Sequence, residues 1–186
     1  MTFAAKAPIS AILCSEGRDA ASLMLRAVRH LSSSGVRPAG FIQRDIERPG
    51  QCRCDMMLED LATGAVIAIS ENRGREARGC RLDTNALMEA VAATERALLA
   101  APDLLVVNKF GKTEAEGGGF RPVIADAVGR GIPVLIAVPW RNVDGWRRFA
   151  GTLAIEYDIA SLDGMTSAAD LCARLGLAVT QNEARV

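Results

Sequence analysis

Residues Asp103 to Phe120 read DLLVVNKFGKTEAEGGGF, and the reading of Leu104 to Val107 decides the fold. These four residues form an apolar, β-branched run, too short for a globular helix and bounded by Pro102 before it and Gly111 after it. That is the pattern of a strand buried on both faces, which belongs inside a parallel sheet. Where the run ends the chain turns polar, so Asn108, Lys109, Lys112, Thr113 and Glu114 fall at the carboxyl edge, where open α/β sheets hold their ligands. The glycines Gly117, Gly118 and Gly119 then predict a mobile or tightly turned loop whose amides, unshielded by side chains, are free to approach an anion.

Working outward, strands and helices alternate. Ile9 to Cys14 predicts a strand after a loose start, and Leu23, Ala27 and Leu31, with Met24 and Val28, mark one face of a helix from Ala20 to Ser32. Val36 to Gln43 is the next strand, completing a right-handed βαβ unit. Met56 to Leu61 and Ala65 to Ile69 flank a Thr63-Gly64 turn, the pattern of a β-hairpin. Glu71 to Asp83 carries four arginines and two glycines in thirteen residues, too polar for a core, and reads as an exposed loop. Asp83-Thr84 caps a helix from Asn85 to Ala100 whose Leu87, Val91, Thr94 and Leu98 track one face. Beyond the glycines come a helix from Phe120 to Arg130, a buried strand from Pro133 to Val138 and a helical stretch from Trp140 to Phe149. A strand from Leu153 to Tyr157 and a helix from Ser167 to Leu175 close the chain. The alternation predicts a three-layer α/β fold with a mostly parallel sheet and a β-hairpin excursion. Its 186 residues form one domain, 1–186, with 44–83 as an insertion carrying the hairpin and the Arg-rich loop.

Composition narrows the function classes. Basic and acidic residues number 22 each, so no global field draws the chain to nucleic acid or to an anionic membrane, and any anion site is local. The longest apolar runs, such as Ile132 to Trp140, fall short of a membrane span, and the first residues lack the layout of a signal peptide. A cytoplasmic location is expected. Five cysteines, an odd number, argue for reduced thiols rather than a disulfide framework.

Three groups of residues could carry chemistry. The first follows the opening strand, where a phosphate-binding loop would place G-x-x-x-x-G-K-[ST]. Here Gly17 is the sole glycine and no lysine follows, so Ser15, Ser22 and Arg18, beside Gly17, either touch an anion at a helix N-terminus or form a plain strand-to-helix turn. The second is the central motif. Asn108-Lys109 stands where a nucleotide hydrolase carries an acidic pair, so magnesium-assisted hydrolysis on that pair is not expected. Lys109, Lys112 and Thr113, with Gly111 and the glycine amides, suit holding an oxyanion without breaking it; the plainer alternative is a strand-end turn with solvated lysines. The third is Arg73, Arg75, Arg78 and Arg81, whose guanidinium forks match phosphate or molybdate-like oxygens, unless they only balance Glu71, Glu76 and Asp83 in solvent.

Cys52-x-Cys54, with Cys80 and Cys14, lacks the spacing of a zinc knuckle, and the single histidine, His30, sits in a helical pattern. No metal set is assigned, and the role of Cys52, Cys54 and Cys80 stays open. Cys172 reads as buried filler on the last helix. One histidine and no G-x-S-x-G elbow leave a triad hydrolase unsupported.

Several stretches together resemble a known family: DLATG (60–64), RGCRLD (78–83), DLLVVNKFGKTEAEGGGFR (103–121), GIPVLIAVP (131–139) and W-x-x-F-A-G (146–151). They look like a bacterial nucleoside-triphosphatase-like family often encoded beside, or fused to, molybdate-transport components, itself similar to small P-loop nucleoside-triphosphatases with a D-E-I-G-K-M-E motif at this strand. Gly111, Lys112 and Glu114 match that motif, and Asn108 and Lys109 stand at its two acids. The resemblance implies a P-loop NTPase-like fold, a nucleotide or molybdate-like oxyanion as ligand, and molybdate-transport or molybdenum-enzyme proteins as partners. The departures remove transition-state stabilisation, so an efficient triphosphatase is not expected. The leading expectation is a binding, carrier or regulatory protein using Ser15, Gly17, Arg18, Asn108, Lys109, Gly111, Lys112, Thr113, Glu114, Arg78 and Arg81. The alternatives are a magnesium-dependent triphosphatase with Glu114 or Glu116 in place of the missing acids, and a ligand-free interaction module, a homodimer pairing through its hairpin.

Overall fold

The computed structural model describes residues 2–15, 17–46, 55–70 and 82–180. Its centre is the apolar run identified above, β6 (Leu104–Val107), with β2 (Ile9–Cys14) and β7 (Val134–Pro139), every residue of the three buried. Strands apolar on both sides have no face to give to water, so both faces of their sheet must be covered. Along β6 the side chains alternate. Leu105 and Val107 join a core with α2 (Thr84–Leu98), α4 (Arg121–Gly129) and α5 (Val143–Ala150). Leu104 and Val106 join a second core with α1 (Gly17–Ser33) and α6 (Ala168–Arg174). The result is three layers, helix, sheet and helix.

The sheet has seven strands. With β3 (Pro38–Ile46), β4 (Asp55–Asp60), β5 (Val66–Ala68) and β8 (Ala154–Asp158), the order is β5-β4-β3-β6-β7-β2-β8. β3, β6, β7, β2 and β8 run parallel; β4 pairs antiparallel with β3, and β5 antiparallel with β4. The expected hairpin is therefore the β4-β5 margin of the main sheet. β2 and β3 are parallel, as the βαβ reading requires, but β6 and β7 lie between them.

Local signals account for most boundaries. The Asp83 carboxylate accepts from the amides of Asn85 and Ala86 and caps α2, whose Leu87, Val91, Thr94 and Leu98 are all buried. Asp60 does similar work in the hairpin turn, accepting from the amides of Ala62 and Thr63.

One expectation is corrected and one refined. The loose start is a strand, β1 (Thr2–Ala5), paired antiparallel with β9 (Leu177–Thr180); each is four residues long, too short to show a period. The stretch from Trp140 to Phe149 is helical as expected, in two pieces: Trp140–Asn142 makes a single 3-10 turn, α5 follows from Val143, and at the junction the Asn142 amide donates to the Phe110 carbonyl at 2.9 Å. Among the described residues, no helix is long and apolar enough to cross a membrane.

Gly40 sets how closely β3 approaches β6. Its φ is +102°, and a Cβ there would lie 2.0 Å from the Val106 carbonyl oxygen. Gly40→Ala is expected to destabilise the fold by about 2–4 kcal/mol, combining backbone strain with a clash against a buried strand. Urea denaturation checks it, and an unchanged midpoint would contradict the close approach.

Candidate functional site

The covering of both faces creates the candidate site. β2 and β7 are neighbours, with Cys14 in register with Pro139. The chain leaving β2 passes to α1 on one face, whereas the chain leaving β7 passes to α5 on the other. Loops that part in this way open a crevice at the carboxyl edge, the usual ligand position of open α/β sheets. Ser15 and Trp140 are the first residues past the two strands, and both are exposed. Gly17 opens α1 beside the crevice. The signal for Trp140 was present in the sequence, an aromatic residue one step beyond a buried strand, but the sequence reading absorbed it into a helix.

β6 contributes the adjoining turn. The Phe110 amide still bonds the Ala137 carbonyl of β7 at 2.9 Å, so Asn108 and Lys109 are held at the strand end. Asn108 is buried, its amide donating to the Met24 sulfur of α1 at 3.6 Å, and it is joined to Lys109 by a cis peptide bond. Lys109 is half-buried. Gly111 then opens a short helix, α3 (Lys112–Ala115), in a stretch to which the sequence reading assigned no helix.

Glu114 organises this turn. It is 3% exposed, and its two carboxylate oxygens accept from the amides of Gly111 at 2.8 Å and Phe120 at 3.0 Å. The bond to Gly111 is half of a capping box. A Cβ on Gly119 would lie 1.8 Å from Glu114 Oε1, so this glycine lets the carboxylate in. Burial pushes the Glu114 carboxyl above the ordinary glutamate value of 4.5, opposed by the Phe120 and Gly111 amides and by the positive charge of Lys109.

These contacts change the expected roles. The glycine loop was read as offering free amides; instead Gly117 bonds the Glu114 carbonyl at 3.1 Å and Gly118 bonds the Thr113 carbonyl at 2.9 Å. Lys112 was expected against an anion. Its side chain is 82% exposed and pairs with Glu116 at 3.6 Å, one helical turn on. Thr113 is half-buried in α3. Glu114 sits inside the turn as a brace, with both oxygens engaged. The structure thus brings together the edge positions of Ser15, Gly17, Asn108 and Lys109 and sets Lys112 apart.

The other candidates divide by position. The Arg18 side chain, Arg73, Arg75, Arg78, Arg81, Cys52, Cys54 and Cys80 lie outside the described residues. The described ends of the Arg-rich segment, Ser70 and Leu82, bridge each other beyond β5, which runs parallel to β3, so they stand at the same carboxyl edge. Strand spacing puts that bridge about 14 Å from β6, three strands away. Cys14 and Cys172 are buried and neither is in a disulfide; burial pushes Cys172 up to about 11, consistent with its reading as core filler. Among the described residues, no group of three or more His, Cys, Asp or Glu could hold a metal ion. A cavity of about 670 Å³ lies at the opposite, amino edge, between Phe3, Pro8, Pro102 and Pro133, and no predicted site residue lines it.

Comparison with known proteins agrees with this frame. Residues 9–162 match the family described as a protein of unknown function (DUF2478), and the chain belongs to that family. It is 38% identical over 143 residues to the molybdenum import ATP-binding protein ModC 2 of Bradyrhizobium diazoefficiens. That match takes in 77% of this chain but only 16% of the relative. The fold is similar to that of THEP1 from the hyperthermophile Aquifex aeolicus, with a TM-score of 0.62 at 16% identity, covering 90% of this chain and 98% of that one. The fold is thus P-loop NTPase-like.

Glu114→Ala leaves the Gly111 and Phe120 amides without their acceptor and is expected to cost about 2–4 kcal/mol. Gly119→Ala, which drives a methyl into the same carboxylate, should lose a similar amount; an unaltered urea midpoint in either variant would remove the brace. The pH dependence has a definite sign. A carboxyl whose folded value is raised stabilises the fold fully below its unfolded value, and that contribution is lost as pH climbs through the raised one. Stability relative to Glu114→Gln, whose amide mimics the protonated acid, should therefore fall as pH rises past 4.5.

Proposed function

We propose that this chain binds a nucleotide, or a tetrahedral oxyanion such as molybdate, at the carboxyl edge of its sheet and holds it without efficient hydrolysis, in a carrier or regulatory role. The observation that carries this is the β2-β7 crevice, with Gly17 at the start of α1 on one side and Asn108-Lys109 at the end of β6 on the other. Backbone donors at the start of a helix and a half-buried lysine are the groups an anion requires. Arg18, Arg78 and Arg81 are included in the ligand set, and residues 1–186 act as one unit with 44–83 as an insertion.

Inefficient hydrolysis follows from what the edge lacks. No lysine follows Gly17 to neutralise charge on a transferred phosphoryl group, and Asn108 and Lys109 are not the carboxylate pair that would orient a magnesium ion. Glu114, the carboxylate nearest along the motif, is committed to two amides. Glu116 is exposed and paired with Lys112. The ModC 2 likeness supports a partner among molybdate-transport proteins and a place in the cytoplasm.

Calorimetry on the full chain with ATP, GTP, molybdate, tungstate and sulfate tests the proposal. At least one ligand should bind below the millimolar range. Lys109→Ala should weaken it about tenfold or more, the value of a charge-assisted contact, while Lys112→Ala should matter less. Absence of any binding below millimolar concentration would defeat the reading. Magnesium-dependent phosphate release that Glu114→Gln abolishes would assign an active triphosphatase instead.

A further inference from the structure

The edge carries one large aromatic side chain that the core does not use. The two tryptophans are treated oppositely. Trp146 is fully buried, set edge-on to Phe110 and tilted against Phe149, its indole N–H donating to Glu156. Trp140 is 41% exposed and is the first residue past β7, where the loops of β2 and β7 part. Its backbone is held at both ends. Pro139 before it is the last residue of β7, in register with Cys14, and two residues on Asn142 is bonded to the Phe110 carbonyl. An aromatic ring is thus mounted on a stiff turn at the mouth of the crevice. β2, which leads to Gly17, and β6, which leads to Lys109, flank β7 one place to either side, about 5 Å away in strand spacing.

A tetrahedral oxyanion has no face with which to use such a ring, whereas a nucleobase does. Resting on the reading of this edge as an anion site, we propose that Trp140 is the stacking platform for the base of a nucleotide whose phosphates lie toward the start of α1 and Lys109. The ligand class is then a nucleotide and not a bare oxyanion. Stacking of a base on an aromatic side chain is tolerant of base identity, so ATP and GTP differ little at this contact.

Titrations of the full chain with ATP and with inorganic tripolyphosphate separate the base from the charge. Wild type should bind ATP roughly 5- to 150-fold more tightly than tripolyphosphate, the range of one stacked base. Trp140→Ala should erase that advantage and leave tripolyphosphate affinity unchanged; Trp140→Phe should keep most of it. Indole emission should respond to ATP and not to tripolyphosphate, since Trp146 is sealed in the core. Equal affinity for the two compounds in wild type, or undiminished ATP affinity in Trp140→Ala, overturns the stacking role while leaving the anion site standing. If neither compound binds wild type, the anion site fails and the stacking role with it.

Discussion

Three adjacent strands with no polar face, β6, β7 and β2, constrain everything else in this fold. Their backbone groups are satisfied in parallel ladders with one another and with β3 and β8, and their side chains by helices on both sides. A parallel neighbour cannot be reached by a tight turn, so each connection carries a helix across one face. Covering two faces requires some connections to leave the sheet one way and some the other. At β2 and β7 those departures meet, and the crevice at the carboxyl edge follows from how the core is sealed.

The turn after β6 displays the same economy at smaller scale. A glycine-rich segment in water offers mobile amides, yet here a buried carboxylate gathers two of them and converts the segment into a short helix and a rigid turn. Glu114 has paid desolvation to do so, which is why its proton is held more tightly than that of a free glutamate. The consequence reaches chemistry: a carboxylate used as a brace is withdrawn from metal binding and from activating water. The strand end itself carries an amide and a lysine in place of acids. A likeness of fold to a P-loop protein does not supply the missing groups, because function resides in the site and not in the frame.

Charge tells the same story at the scale of the whole chain. Equal numbers of acidic and basic residues cancel in the far field, and many of the exposed ones are spent on each other, as in Arg37 with Asp103 at the amino edge and Arg147 with Glu156 beside α5. Lys112 with Glu116 belongs to that surface set. Lys109 does not: it is half-buried beside the Glu114 carboxyl and its charge is felt there.

The amino-acid sequence by itself determined the elements that repeat a period or carry a stop signal. The buried runs Ile9 to Cys14, Leu104 to Val107 and Pro133 to Val138, the faces of α1 and α2 and the Asp83 cap are legible because each is a local pattern with a local cause. Only the tertiary structure decided which strands are neighbours, since contacts between β2 and β7 span more than a hundred residues and leave no trace in any window. It also decided the β1-β9 ribbon, whose four-residue strands are too short to show a period, and the fates of Glu114, Lys112 and Trp140. A glutamate, a lysine and a tryptophan carry the same letters whether buried on two amides, spent on a neighbour in solvent or left at the mouth of a crevice; burial and distance, which arise when remote segments pack, separate the three.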